Sequence, residues 1–228
     1  MTQLLISVTN LIEAKIALEN GADIIDLKDP SAGALGALPV ATITSIVDFV
    51  NKGKLTSATI GDLYIESGLI ISQIMALVKT NVDYIKIGFF ETSNFQRYDF
   101  QTYLNALEKV TQTGVKLIAV LFAEHTYPES LILALKKAGF IGVMLDTAKK
   151  NGLTVLDYYT LAQLKNIAQN ALKHELSFGL AGSLNIQHIA VLQEVNSTYM
   201  GFRGGICDSN KRELGINVEK IKAIRAIL

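Results

Sequence analysis

One cysteine, Cys207, stands in 228 residues, so no disulfide can form within the chain and a reducing compartment is its natural setting. Histidine is as sparse: His125, His174 and His188, with that single thiol, are too dispersed to make a metal site. Net charge is missing too, since 21 basic residues balance 21 acidic ones. No basic run reaches five residues, which argues against nucleic acid or an anionic membrane as a partner. Neither a G-x-G-x-x-G turn nor a P-loop is present, so no nucleotide fingerprint is read. The opening MTQLLISVTN lacks a basic cluster, and its apolar run is too short for a signal or a span. It predicts the first strand of a cytoplasmic protein. No linker or low-complexity segment interrupts the chain, which predicts one domain over residues 1–228.

Half of the sequence is hydrophobic, enough for a full core. Short apolar runs at 4–8, 24–27, 55–59, 84–87, 115–121, 141–145, 176–180 and 198–201 read as strands. Each leads into a segment with helical spacing: 11–18, 40–50, 69–79, 100–111, 129–138, 156–173, 186–194 and 218–228. Asn10 is placed to cap the first helix and Gly21 to end it. Strands without polar alternation are covered on both faces, as in a parallel sheet. Eight such units in this length predict a single (β/α)8 TIM barrel, with a doubly wound open sheet as the alternative.

In a barrel, chemistry sits at the C-terminal ends of the strands. The second strand, in GADIIDLKDP, delivers Asp26 and Lys28 to one face, because residues two apart point the same way. Lys86 lies on the fourth strand in DYIKIG, near its C-terminal end, and Asp146 ends the sixth in GVMLDT. A lysine used as a nucleophile must be neutral. At a reference pKa near 10.4 only about one in two thousand is neutral at pH 7. A second lysine in the same pocket supplies the like charge that favours the neutral form. Two lysines with carboxylates therefore point to carbonyl chemistry through a Schiff base. The loops after strands seven and eight, GLAGSL and GFRGGICD, fit the phosphate cradle of such barrels. Gly182, Ser183, Gly204 and Gly205 would bring backbone N–H groups to an anion, and Arg203 would offer a bidentate fork.

Plainer readings stand beside these. Lys28 could end a strand in solvent, Asp146 could cap a turn before Thr147, and Asp62 after Gly61 reads as a turn residue. Lys149 and Lys150 share a loop, and Glu124 and His125 suit a loop surface. Cys207 reads as a small packing residue. A phosphate-barrel decarboxylase would carry D-x-K-x-x-D, but the run from Asp26 to Ser31 lacks the last acid.

GADIIDLKDP, the LGA at Leu35 to Ala37, SATIGD, DYIKIG, MLDTAKKNG, LAGS and GFRGG together resemble the (5-formylfuran-3-yl)methyl phosphate synthases of methanofuran biosynthesis. The resemblance runs from the second strand to the eighth. It implies a (β/α)8 barrel that condenses two molecules of glyceraldehyde 3-phosphate with loss of phosphate and water, and without metal or organic cofactor. It implies that Lys28 forms the Schiff base, that Lys86 accepts a proton, and that Asp26, Asp146 and Lys150 support them. Lys150 rather than Lys149 is favoured by its spacing of four from Asp146. The segments after strand five and after Cys207 depart from the family pattern, so His125 and Cys207 receive no role. Two rivals remain: another Schiff-base aldolase-type lyase on a small phosphorylated aldehyde, and a non-catalytic phosphate-binding barrel. The oligomeric state is open, a homo-oligomer included.

Overall fold

The computed structural model describes residues 2–65, 68–90 and 98–228. Each apolar run is a strand: β1 (Gln3–Val8), β2 (Ile24–Leu27), β3 (Leu55–Thr59), β4 (Tyr84–Phe89), β5 (Leu117–Phe122), β6 (Gly142–Asp146), β7 (Ser177–Leu180) and β8 (Tyr199–Phe202). Between them run α1 (Leu11–Glu19), α2 (Val40–Val50), α3 (Ile70–Val78), α4 (Tyr98–Thr111), α5 (Ser130–Lys137), α6 (Val155–Tyr158), α7 (Leu161–Lys173), α8 (Ile189–Gln193) and α9 (Val218–Ile227). The strands pair in chain order, all parallel, and β8 closes on β1 through Gln3–Tyr199 to Ile6–Phe202. That closure excludes the open sheet. No helix among the described residues is long and apolar enough to cross a membrane.

Pleat alternation sorts the core into two shells. Leu4, Ile6, Val8, Ile25 and Leu27 face the helices, while Leu5, Ile24, Ile118, Val120, Phe122, Met144 and Tyr199 fill the barrel. The register runs Asp26–Ser57–Tyr84, then Lys86–Ile118–Gly142, then Met144–Gly179–Tyr199, then Gly201–Leu5–Ile24. One pleat of rise at every second strand, as the tilt of a barrel requires, gives the even strands three layers. Ile24, Tyr84, Gly142 and Tyr199 form the lowest. Asp26, Lys86, Met144 and Gly201 form the middle. Lys28, Gly88, Asp146 and Arg203 form the top.

The helix expected over 156–173 is broken in two. Thr154 and Asp157 build one capping box, and Thr160 and Gln163 build a second. The second box supplies a fresh helix start, so the axis is interrupted at Tyr159 and Thr160. The segment expected as a helix over 186–194 opens with a tighter 3-10 turn, Ile186–His188, before α8.

Candidate active site

The upper end of the barrel is half plugged and half open. Asp62 accepts from the Ala34 N–H at 2.8 Å and the Leu35 N–H at 2.6 Å, which fixes the loop after β2. Gly33, at φ +108°, lies so close to that carboxylate that a Cβ would strike it. The turn residue Asp62 is thus a loop clamp. It sets the fully buried Leu35 over Gly88, where a Cβ would also meet the Phe90 ring. Phe90 stacks on Phe122 with centroids 4.4 Å apart. Across from this plug, a cavity of about 430 Å³ opens between the loops after β6, β7 and β8.

Lys28, Asp26, Asp146 and Lys150 all line that cavity. The Lys28 N–H donates to Val8 O at 3.2 Å, carrying the strand direction one residue past β2 and aiming the side chain at Asp146. Lys28 Nζ stands 3.7 Å from Asp146 Oδ2. Lys150 Nζ donates to Asp146 Oδ1 at 2.9 Å and to Thr147 O at 2.5 Å. The side chain of Lys150 is 22% exposed although its backbone lies at the surface. Lys86 sits one layer lower, 1% exposed, and donates to Asp26 Oδ1 at 2.6 Å. Asp26 is held from both neighbouring strands: Ser7 Oγ donates to Oδ2 at 2.8 Å and Ser57 Oγ to Oδ1 at 2.6 Å. Lys86 does not line the cavity; it reaches it through Asp26.

The electrostatics follow from burial and neighbours. Burial pushes the Asp26 carboxyl up, but the Lys86 and Lys28 ammonium groups outweigh it and leave the group below its ordinary value. Asp146 behaves alike: Lys150 and Lys28 outweigh burial and hold it well below the usual carboxylate range. Burial lowers Lys86 despite the opposing pull of Asp26, and the Lys28 charge adds to the lowering. Burial likewise lowers Lys150 against the pull of Asp146.

Gly182, Ser183, Arg203, Gly204 and Gly205 form the glycine-rich wall of the same cavity. Gly182 has φ +96°, which glycine adopts without strain. A Cβ on Gly205 would collide with Leu184 O. The fork expected of Arg203 is occupied, which corrects its reading as a phosphate ligand. Nε donates to Arg212 O at 2.7 Å, Nη1 to Ser7 O and Glu13, and Nη2 to Glu13 and Leu214 O. All five donors are used, and Glu13 is the buried counter-ion. The neighbours Lys211 and Arg212 reach the cavity instead, and sequence reasoning overlooked them. Arg212 anchors one nitrogen on Gly33 O at 2.7 Å.

Other expectations fall outside the cavity. Glu124 accepts from the Ala148 and Lys149 N–H groups at 2.9 and 2.8 Å, bracing the loop that carries Lys150. His125 lies with it on a separate groove beside α5 and α7, and Lys149 is exposed. His188 caps its own turn by accepting from the Asn185 N–H, and His174 follows α7. Cys207 is a packing residue: its buried Sγ donates to Arg203 O, and burial pushes the thiol up to about 11. No cluster of three or more His, Cys, Asp or Glu suited to a metal occurs among the described residues.

Comparison with known proteins then bears on what this site is for. The family model described as 4-HFC-P synthase matches residues 4–225. A Methylorubrum extorquens protein provisionally named (5-formylfuran-3-yl)methyl phosphate synthase is 37% identical over 98% of this chain and 92% of its own. The (5-formylfuran-3-yl)methyl phosphate synthase of Methanocaldococcus jannaschii is 32% identical over 98% of both chains. Among solved structures, a phosphoribosyl anthranilate isomerase from Thermus thermophilus superposes with TM-score 0.69 over 99% of this chain and 98% of its own. It is only 12% identical, a likeness of fold alone. A family match over nearly every residue, with full-length relatives above 30% identity, leads to one conclusion: the chain belongs to the 4-HFC-P synthase family.

Proposed function

We propose that this protein is an enzyme that joins two molecules of glyceraldehyde 3-phosphate into (5-formylfuran-3-yl)methyl phosphate, with a Schiff base on Lys28. One observation carries the reading: Lys28 lines the cavity with its Nζ 3.7 Å from Asp146 Oδ2, one layer above the buried Asp26–Lys86 pair. The cavity, about 430 Å³, falls in the size range of small-molecule sites.

The Lys28 amine adds to the aldehyde carbon of one triose phosphate, and water leaves to give the iminium. The positive nitrogen acidifies the adjacent C–H. Asp26 takes that proton and passes it across their 2.6 Å contact to Lys86 in the neutral form that burial favours, leaving an enamine and a Lys86 ammonium. The enamine carbon attacks the second aldehyde. Asp146, held ionised by Lys150, balances the iminium charge. Elimination of one phosphate, ring closure and loss of water give the furan, and hydrolysis of the remaining iminium by one water releases the formyl group and free Lys28. The glycine-lined loops after β7 and β8 hold one phosphate, and Lys211 and Arg212 hold the other.

The test is incubation with glyceraldehyde 3-phosphate alone. Free phosphate and a strongly ultraviolet-absorbing furaldehyde are expected, and borohydride should leave one reduced adduct that maps to Lys28. A sugar phosphate would point to a simple aldolase. No turnover and no adduct would leave only a phosphate-binding barrel.

A further inference from the structure

We propose that Lys86 exchanges its proton with solvent from below, through a water-filled cavity under the barrel in which Tyr199 is the relay. The inference rests on the reading of Lys86 as a proton acceptor. A group that takes a proton in every turnover must also release it. Above, Lys86 is bonded to Asp26 at 2.6 Å and does not line the upper cavity. Beneath it lies a second cavity of about 170 Å³, lined by Lys86, Ser57, Tyr84, Ser177 and Tyr199. At roughly 30 Å³ per water this holds about five. Tyr84, Ser177 and Gln3 at its rim are half-buried, so it opens on the lower face.

Two features mark this space as built. Tyr199 is 3% exposed, and its hydroxyl has no partner among the described residues. A buried hydroxyl in that position is satisfied by water. Its ring lies across Gly179, where a Cβ would collide with it, and a Cβ on Gly142 would strike Ser177 Oγ. Those two missing side chains leave the room. Tyr199 and Tyr84 share the lowest layer of the barrel, one pleat below Asp26 and Lys86, which places Tyr199 between the ion pair and the rim. Ser57 touches both ends, because it donates to Asp26 and lines the lower cavity.

The step balances simply. The C–H electron pair stays on carbon as the enamine, and the proton passes through Asp26 to Lys86. Lys86 is made ready for that proton beforehand: its ammonium gives one to a cavity water, that water gives one to the next across the Tyr199 hydroxyl, and one proton leaves to bulk water, to be returned along the same route when hydroxide leaves the adduct as water. No co-reactant beyond water is needed.

The experiment uses the full chain labelled with 15N-lysine, in wild type and Tyr199→Phe. This substitution removes only a hydroxyl that has no partner among the described residues. Hydrogen exchange of the Lys86 ammonium, read by NMR without substrate, should slow about tenfold. Turnover should fall by a similar factor, while melting temperature and the borohydride adduct on Lys28 stay unchanged. Equal Lys86 exchange in both proteins overturns the relay, whatever the turnover. Slowed exchange in a protein that makes no furan would sustain the relay and sink the proposed function instead.

Discussion

Two lysine–aspartate pairs are stacked in one barrel, and they differ in almost everything but composition. In the upper pair, Lys28 and Asp146 are 3.7 Å apart, face a cavity, and share their charge with Lys150. In the lower pair, Asp26 and Lys86 touch at 2.6 Å, are 0 and 1% exposed, and occupy a layer that barrels ordinarily fill with branched apolar side chains. A buried pair is a poor source of stability, because desolvation consumes most of the attraction. Its retention in the middle layer makes sense as chemistry: a place to carry a proton out of the substrate cavity and away from the iminium. The upper pair is loose enough to admit a substrate carbon; the lower pair is tight enough to move only a proton.

The harshest test of that contrast is Lys28→Arg. Charge is kept, but the guanidinium cannot form an imine. Furan formation should fall on the order of 10⁴-fold, with a melting temperature near wild type, and borohydride should leave no adduct. Retained turnover would remove the upper pair from the chemistry. The lower pair should respond in the opposite currency. Lys86→Met leaves Asp26 charged and buried, which costs about 3–5 kcal/mol in urea unfolding. Replacing both, Asp26→Leu with Lys86→Met, should recover most of that stability yet no turnover. Stability against pH sharpens the point. Lys86 sits below its ordinary 10.5 in the fold, so between its lowered value and 10.5 the unfolded chain binds more protons. Lys86 therefore makes stability rise with pH across that window, and Lys86→Met should flatten the rise.

How far the sequence exposes this contrast depends on the distance over which its signals act. Period-two spacing puts Asp26 and Lys28 on one face, and the strand ends bring Lys86 and Asp146 to the same barrel mouth. That much is local, and eight repeats of it make the fold legible. The vertical offset is not local. It comes from the tilt of the strands, which sets Lys86 level with Asp26 rather than with Lys28. Partners remote in sequence are hidden for the same reason. Glu13 lies 190 residues from Arg203, and nothing in GFRGG announces that the fork is taken. Asp62 reads as a turn residue and Glu124 as loop surface because the N–H groups they hold, on Leu35 and Lys149, belong to other loops.

Arg203 lies in the same layer as the upper pair, so it also tests which cations there serve chemistry and which serve packing. Arg203→Lys keeps the charge but loses the five-way fork, leaving Glu13 and the carbonyls of Ser7 and Leu214 short of donors. A loss of about 2–3 kcal/mol in unfolding free energy is expected, from charged hydrogen bonds at this burial. KM should change little in the protein that remains folded. A large KM effect with unchanged stability would restore Arg203 as a phosphate ligand.

The gentlest change is Arg212→Ala. Its guanidinium gives one bond to Gly33 O and leaves the rest of its fork to the cavity, beside the upper pair and away from the lower one. If it holds a substrate phosphate, its loss weakens binding before chemistry. KM for glyceraldehyde 3-phosphate should rise about tenfold, worth about 1.4 kcal/mol, with kcat within about a factor of two. The Lys28 adduct should still form at saturating substrate, because Arg212 is bonded to neither Lys28 nor Asp26. A fall in kcat at constant KM would mean that Arg212 acts on the charge of Asp146 rather than on phosphate, and the division between binding wall and reacting pair would have to be redrawn.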